Sequence, residues 1–429
     1  MRSTSRGLLA RRAGLLLALL LSLPLGAAEY FVDDQAGSDK ADGTRSPWQS
    51  LARVSREALK PGDTVRFRRG GTWTGSLTIS ASGSPGAPIT IAAYGTGPMP
   101  ILRNPPGDKP NWECCVSVRG SHVVLDSLCF RDTYEFGAVF GEKASHGVIR
   151  NCEITAVGIG VGVRAPDCLV TRNYIHNLKM IRNDKTDPDN DYGAVAVALF
   201  ASDNEVSFNR MEECRAPSFD YGMDGGVVEI YGRVNGCRIV GNWSRCCDGF
   251  VEIGGQPGEC RDLIIAHNVA IDNNGLGLVV HTSGKFGGTI EGLRIENNTF
   301  VETQNAKKCL LSYGGTLKEG QIAMRNNIFY TVTRVAWNSA GLVRERNLYF
   351  RPDGGRDFGL VPGPSEIVAD PLFRDVAKGD VRLRPGSPAV NAGLRLGHAL
   401  DAAGLPVPYG PAPDLGAYEL RPEAAGARR

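Results

Sequence analysis

The chain has 429 residues, 42% of them hydrophobic, and a formal net charge of +2. That length and apolar share exclude a disordered chain, and the near-zero charge argues against nucleic acid, whose phosphates call for a Lys/Arg excess. Eleven cysteines without a C-x-x-C argue against a zinc site, and their odd number leaves at least one thiol unpaired.

The first residues carry Arg2, Arg6, Arg11 and Arg12 with no acid, then an apolar run from Gly14 to Leu25 and the small residues Gly26-Ala27-Ala28. This is the pattern of a secretory signal peptide over residues 1–28, with a weak twin-arginine feature. The run is shorter than the about 20 residues a membrane span needs. The expected mature protein is secreted or periplasmic, with no membrane span and a single chain as its working form. Further on, Ser46-Pro47 predicts a short helix through Trp48, Leu51 and Val54, with Pro47 as its first residue. Leu59 to Asp63 predicts a turn into a strand at Thr64 to Phe67.

From residue 101 to about 360 the chain repeats itself. Short apolar runs end in Asn151, Asn173, Asn209, Asn242, Asn268, Asn298 and Asn327, at intervals of about 20 to 36 residues. An inward candidate stands three residues before each: Val148, Val170, Val206, Ile239, Ile265, Ile295 and Met324. Asp126 takes the Asn place in an earlier copy, and Asn347 ends a weaker later one. One short strand per interval with a fixed corner Asn predicts a parallel β-helix, an all-β solenoid. Its coils stack about 4.8 Å apart. Asn suits the corner because it tolerates a left-handed backbone and its amide can bond the Asn above and below. The longer intervals after Asn173 and Asn209 predict two loops on one edge, walling one side of a groove.

Two stretches carry the chemistry: "DGGVVEI" with Asp224 and Glu229, and "DGFVEI" with Asp248 and Glu252. The spacing is about one coil, so the glutamates are expected to stack one above the other, facing out, with the aspartates stacked at the strand entry. This expectation takes Val228, Ile230, Val251 and Ile253 as inward, and Val227, Phe250, Ala194, Ala196 and Ala198 as outward. Asp191 takes the Asp position one coil earlier. With Leu276, Leu278 and Val280 inward, His281 points out beside the pair, and Lys285 follows in the turn. Like charges on neighbouring strands are destabilising and call for compensation. Three readings remain open: Ca²⁺ held by Asp191, Asp224 and Asp248; an acid/base carboxylate pair; or a solvated acidic face neutralised by Arg233, Arg245 or Arg261.

The stretches "YFVDDQAGSDKADGTRSPWQSLARV", "LKPGDTVRFRRGGTWTG" and "GSPGAPITIAAYG" resemble the N-terminal region of secreted right-handed β-helix proteins of the pectate-lyase-like superfamily. "ADPLFRD", "RLRPGSPAVNAG" and "PDLGAYE" are similar to the tail many of them share. The resemblance implies an N-terminal cap and first coils over residues 29–100, coils over 101–360, and a C-terminal cap and tail over 361–429. The short helix would cap the first coil, and the segment from Ala369 would cover the last. It also implies a carbohydrate-active protein with a polysaccharide substrate. For calcium-assisted β-elimination on a uronic-acid polymer, Lys285, Arg233 or His281 would be the base. For glycosidic hydrolysis, Glu229 and Glu252 would be the pair, with Tyr192, Tyr221 and Tyr231 stacking on sugar rings. A β-helix that binds polysaccharide without cleaving it is the third possibility.

Overall fold

Alternation of buried and half-buried residues along short strands sets the architecture. In Thr64–Arg68, Val65 and Phe67 are fully buried while Thr64, Arg66 and Arg68 are half-buried. A computed structural model describes residues 26–106, 113–254, 259–281, 288–305, 308–313, 317–337 and 339–422. The strands form three long parallel sheets, two of twelve strands and one of ten, each built from one strand per coil. This is a right-handed parallel β-helix, and its core runs the length of the solenoid between the three sheets. Among the described residues, no helix is long and apolar enough to cross a membrane.

One corner is held by a buried amide ladder. Nδ2 of Asn209, Asn242, Asn268 and Asn298 donates to Oδ1 of the Asn one coil on, at 2.9–3.0 Å, and also to a backbone carbonyl of the coil before. The ladder runs from Asn173 to Asn347, where Glu366 ends it by accepting from Nδ2 at 2.8 Å. Asn151 stands outside it: exposed, at φ 54°, with its amide on Asp126. Cys152 fills the first corner place instead, its N–H donating to Asn173 Oδ1, and Ile149, not Val148, is the inward residue there. Asp126 likewise pairs with Arg150 and not with a corner residue. The left-handed backbone falls on the residue before each Asn (Arg172, Phe208, His267, Asn297) and not on the Asn itself.

Two end structures differ from expectation. The helix is Leu51–Arg56, capped by Ser50, whose side chain accepts from Arg53 N. Ser46-Pro47 precedes it, because Trp48 is taken up in a parallel bridge with Val32 and cannot enter the helix. Leu51 and Val54 do cap the first coils from that helix. The C-terminal tail does not lie over the last coil. It runs back along the outside of a twelve-stranded sheet, where Phe373, Val381, Leu383 and Leu415 bury Val269, Val301, Ile328 and Leu348. The terminal edge of that sheet is paired instead by Ile367–Val368. All eleven cysteines are free thiols, and all but Cys246 are buried.

Candidate active site

The site lies on the outer face of the ten-stranded sheet. Successive strands there are Val195–Leu199, Gly226–Tyr231, Val251–Gly254, Leu278–Val280, Cys309–Tyr313 and Arg334–Ala336. Register places one outward row across them: Ala198, Glu229, Glu252, Val279 and Ser312. The two glutamates are direct partners, about 4.8 Å apart by strand spacing. Their orientation depends on an irregularity that simple alternation does not reveal. Ala196-Val197, Val227-Val228 and Phe250-Val251 are each consecutive buried residues of the main core. Ala196, Val227 and Phe250 therefore face in, not out, and only after that doubled step does alternation deliver Glu229 and Glu252 to the surface. Leu276 also departs from expectation, since it lines the outer cleft while Leu278 and Val280 point in.

Above this row is a cleft of about 560 Å³. The inserted loops form its wall as two antiparallel hairpins, one pairing Met180–Arg182 with Tyr192–Gly193, the other Ala216–Ser218 with Gly222–Asp224. Tyr192, Tyr221 and Asp224 reach the cleft from them. Asp191 locks the hairpins together. One oxygen accepts from Asp184 N at 2.8 Å; the other accepts from Ser218 Oγ at 2.7 Å, Phe219 N at 2.8 Å and Asp220 N at 3.1 Å. Both oxygens thus hold the hairpins together, a structural role beside the calcium-ligand one expected of Asp191, which also lines the cleft.

The electrostatics separate the two glutamates. Burial, and then the charge of Glu252, hold the Glu229 carboxyl well above the usual carboxylate range, against a hydrogen bond donated by Tyr231. Glu252 Oε1 lies 2.9 Å from His281 Nε2. That bond raises the His281 pKa, favouring imidazolium beside a carboxylate. Gly254 makes the contact possible, since a β-carbon there would fall 2.5 Å from the His281 ring. Asp224 is pushed up to about 7 by burial, then by the charges of Asp248, Glu252 and Asp191. Burial also raises Asp248, with Asn274, Lys308 and Arg215 working against it.

Several comparisons bear on this chain. The family described as "Right handed beta helix region" matches residues 112–329, more than half of the chain. The chain belongs to that family. A curated relative, "Uncharacterized protein YwoF" of Bacillus subtilis (strain 168), is 26% identical over 156 residues, 36% of this chain. The aligned part spans only 30% of that relative's length. Among solved structures, pectate lyase Pel9A is similar with a TM-score of 0.59 and 17% identity, covering 93% of this chain and 98% of that one. An alginate lyase from Paenibacillus sp. str. FPU-7 has a TM-score of 0.51 and 17% identity, covering 74% and 97%. XylC in complex with xylose has a TM-score of 0.53 and 11% identity, covering 82% and 88%. At these identities the likeness is one of fold.

In this β-helix, Glu229, Glu252, His281, Asp224, Asp248, Tyr192, Tyr221 and Tyr231 all line one cleft. Arg233 does not: it is exposed in the turn after Tyr231, and its charge acts on Glu259. Lys285 lies outside the described residues. Asp224 and Asp248, expected as calcium ligands, line the cleft together; among the described residues no group of three His, Cys, Asp or Glu is placed to hold a metal ion. Tyr231 donates its hydroxyl to Glu229, and one face of its ring stacks on Phe200 at 4.9 Å. Lys308 and Trp337, on later coils, also line the cleft. The repeat could have indicated them, since "KKCLLSY" and "RVAWN" follow the acid-bearing strands one coil after another.

Proposed function

We propose that this protein hydrolyses a glycosidic bond in a neutral polysaccharide, with Glu229 as general acid and Glu252 as the nucleophile. The observation that carries this reading is the in-register pair in a walled cleft, one carboxyl pushed above the usual carboxylate range by burial and the other bonded to His281. Glu229 gives its proton to the glycosidic oxygen as the C–O bond breaks. Glu252 takes the anomeric carbon, and water, deprotonated by Glu229, then displaces it. Backbones one strand spacing apart let the two carboxyls reach the about 5–5.5 Å of a retaining pair. A uronic-acid chain is disfavoured because its carboxylates would meet Asp224, Asp248 and Glu252 in the same cleft. Action outside the cytoplasm, after export on residues 1–28, is part of the same proposal.

The test is a screen of neutral and acidic polysaccharides, with and without chelator, on the wild-type chain, Glu229→Gln and Glu252→Gln. Reducing ends that form with chelator present, fall 10²- to 10⁴-fold in either variant, and show no ultraviolet absorbance support hydrolysis. A chelator-sensitive, ultraviolet-absorbing product from an acidic polymer would replace this reading with β-elimination. Binding without either signal would make the protein a binder.

A further inference from the structure

The acid pair is not central in its cleft. Counting along the ten-stranded sheet, the lining begins at Tyr192 and Gly193, one coil before Glu229, and extends to Trp337, three coils beyond Glu252. At one strand spacing per coil, that leaves about 5 Å on the near side and about 14 Å on the far side.

The near side is filled with protein. Ile181, on the first hairpin, packs on the outer face of the sheet against a cluster of Phe136, Ile159, Val195 and Ala198. A β-carbon at Gly158 would fall 2.2 Å from the Ile181 side chain, so the sheet is shaped to receive it. Tyr134 fixes the same hairpin by donating to Ile181 O at 2.7 Å. Beside it, the Arg164 guanidinium lies 4.5 Å from the Phe200 ring centroid, and Phe200 stacks on Tyr231. The outer face that would carry a glycan upstream of Glu229 is therefore occupied. Downstream the outward row is Val279 and Ser312, with Trp337 at 52% exposure at its end. A large exposed ring on a cleft floor is the surface on which a sugar stacks.

We infer that, among the described residues, the cleft is blocked upstream and open downstream, so that it takes a glycan by one end and releases a short product, with Trp337 as the platform for the retained chain. This rests on the hydrolytic reading above and adds the mode of attack. Trp337 is a specificity-determining residue here, not a catalytic one.

The experiment has two arms. In the first, wild-type protein acts on the polysaccharide that the screen identifies, and product sizes are followed from the earliest time points. One short product from the outset, with viscosity falling more slowly than reducing ends rise, is expected. An early ladder of all sizes with rapid viscosity loss would overturn the inference while leaving the hydrolytic reading intact. In the second arm, Glu252→Gln binds the same glycan and its oligosaccharides without turnover, read by tryptophan fluorescence. Affinity should rise with chain length, and adding Trp337→Phe or Trp337→Ala should weaken binding of the longer chains about tenfold and abolish the fluorescence change. Length-independent binding, or binding insensitive to Trp337, would overturn the inference whether or not the wild-type protein proves to be a hydrolase.

Discussion

Replacing Asn242 with Ala tests how the corner ladder supports the fold. Asn242 Oδ1 accepts from Asn209 N and from Asn209 Nδ2, both at 3.0 Å. Its Nδ2 donates to Val206 O at 2.8 Å and Asn268 Oδ1 at 3.0 Å. Asn209 Nδ2 keeps Val170 O, and Asn268 Oδ1 keeps Asn242 N. The Val206 carbonyl keeps its place in the strand ladder, whereas the buried Asn209 N–H loses the bond that Asn242 supplies. At about 1–3 kcal/mol for an unsatisfied buried group, the expected loss is about 1–3 kcal/mol. Asn151→Gly is the control, since Gly keeps the left-handed backbone at φ 54° and the exposed amide it removes reaches Asp126, so it should cost less than about 0.5 kcal/mol. Urea unfolding followed by circular dichroism measures both. Equal losses for the two variants, or less than about 1 kcal/mol for Asn242→Ala, would refute the ladder as a source of stability.

Asp191→Ala should release the two hairpins from each other, raising KM for the glycan several-fold more than it lowers kcat; an unchanged KM would show that the wall holds without this carboxylate. His267, buried with its Nδ1–H donating to Ala417 O, has its pKa lowered to about 3 by burial and then by the charge of His398. Its imidazole stays neutral in the fold while the unfolded chain takes up a proton below about 6.5. The stability it contributes is present above that value and declines as pH falls from about 6.5 toward 3. His267→Gln should therefore flatten the acid side of the melting-temperature profile, which a thermal scan over that range measures.

How much of this was legible in the sequence depends on which physical rule governed each residue. Burial of a repeated polar group leaves a strong trace, because few side chains other than Asn can satisfy buried backbone N–H and C=O groups at every coil; Asn173 to Asn347 were readable for that reason. Asn151 misled because an exposed Asn satisfies the same spacing one residue out of phase. The glutamates were found by assuming strict alternation, yet the doubled inward steps at Val227-Val228 and Phe250-Val251 break it. The outcome survived because the irregularity recurs in register on each coil, so it moves both side chains alike. The hairpin-locking role of Asp191 and the place of Arg233 outside the cleft were missed for the opposite reason. Their roles depend on loop geometry, and loop geometry is set by contacts between distant segments that no local period encodes. Trp337 went unnoticed because it carries no charge to mark it, although its coil position was countable.

The acid pair is also a thermodynamic liability, and that supplies a separate check on its geometry. Glu252's charge helps raise Glu229, Asp224 and Asp248 above their ordinary range. A carboxylate raised in the fold gives stability that is present below its unfolded pKa and lost as pH rises through the folded value. The pair of Glu252 with His281 works in the same direction, because it weakens as the raised imidazole loses its proton. Wild-type stability contributed by this cleft should therefore fall from about pH 4 through about 7, where Asp224 titrates. Glu252→Gln removes the shared source: it should abolish hydrolysis yet melt with a shallower decline across that window than the wild type. Both proteins carry His267, so its opposite acid-side effect cancels in the difference. Parallel melting profiles for the two would mean that the four carboxyls do not sense one another, and the stacked arrangement would have to be abandoned on grounds independent of any assay of activity.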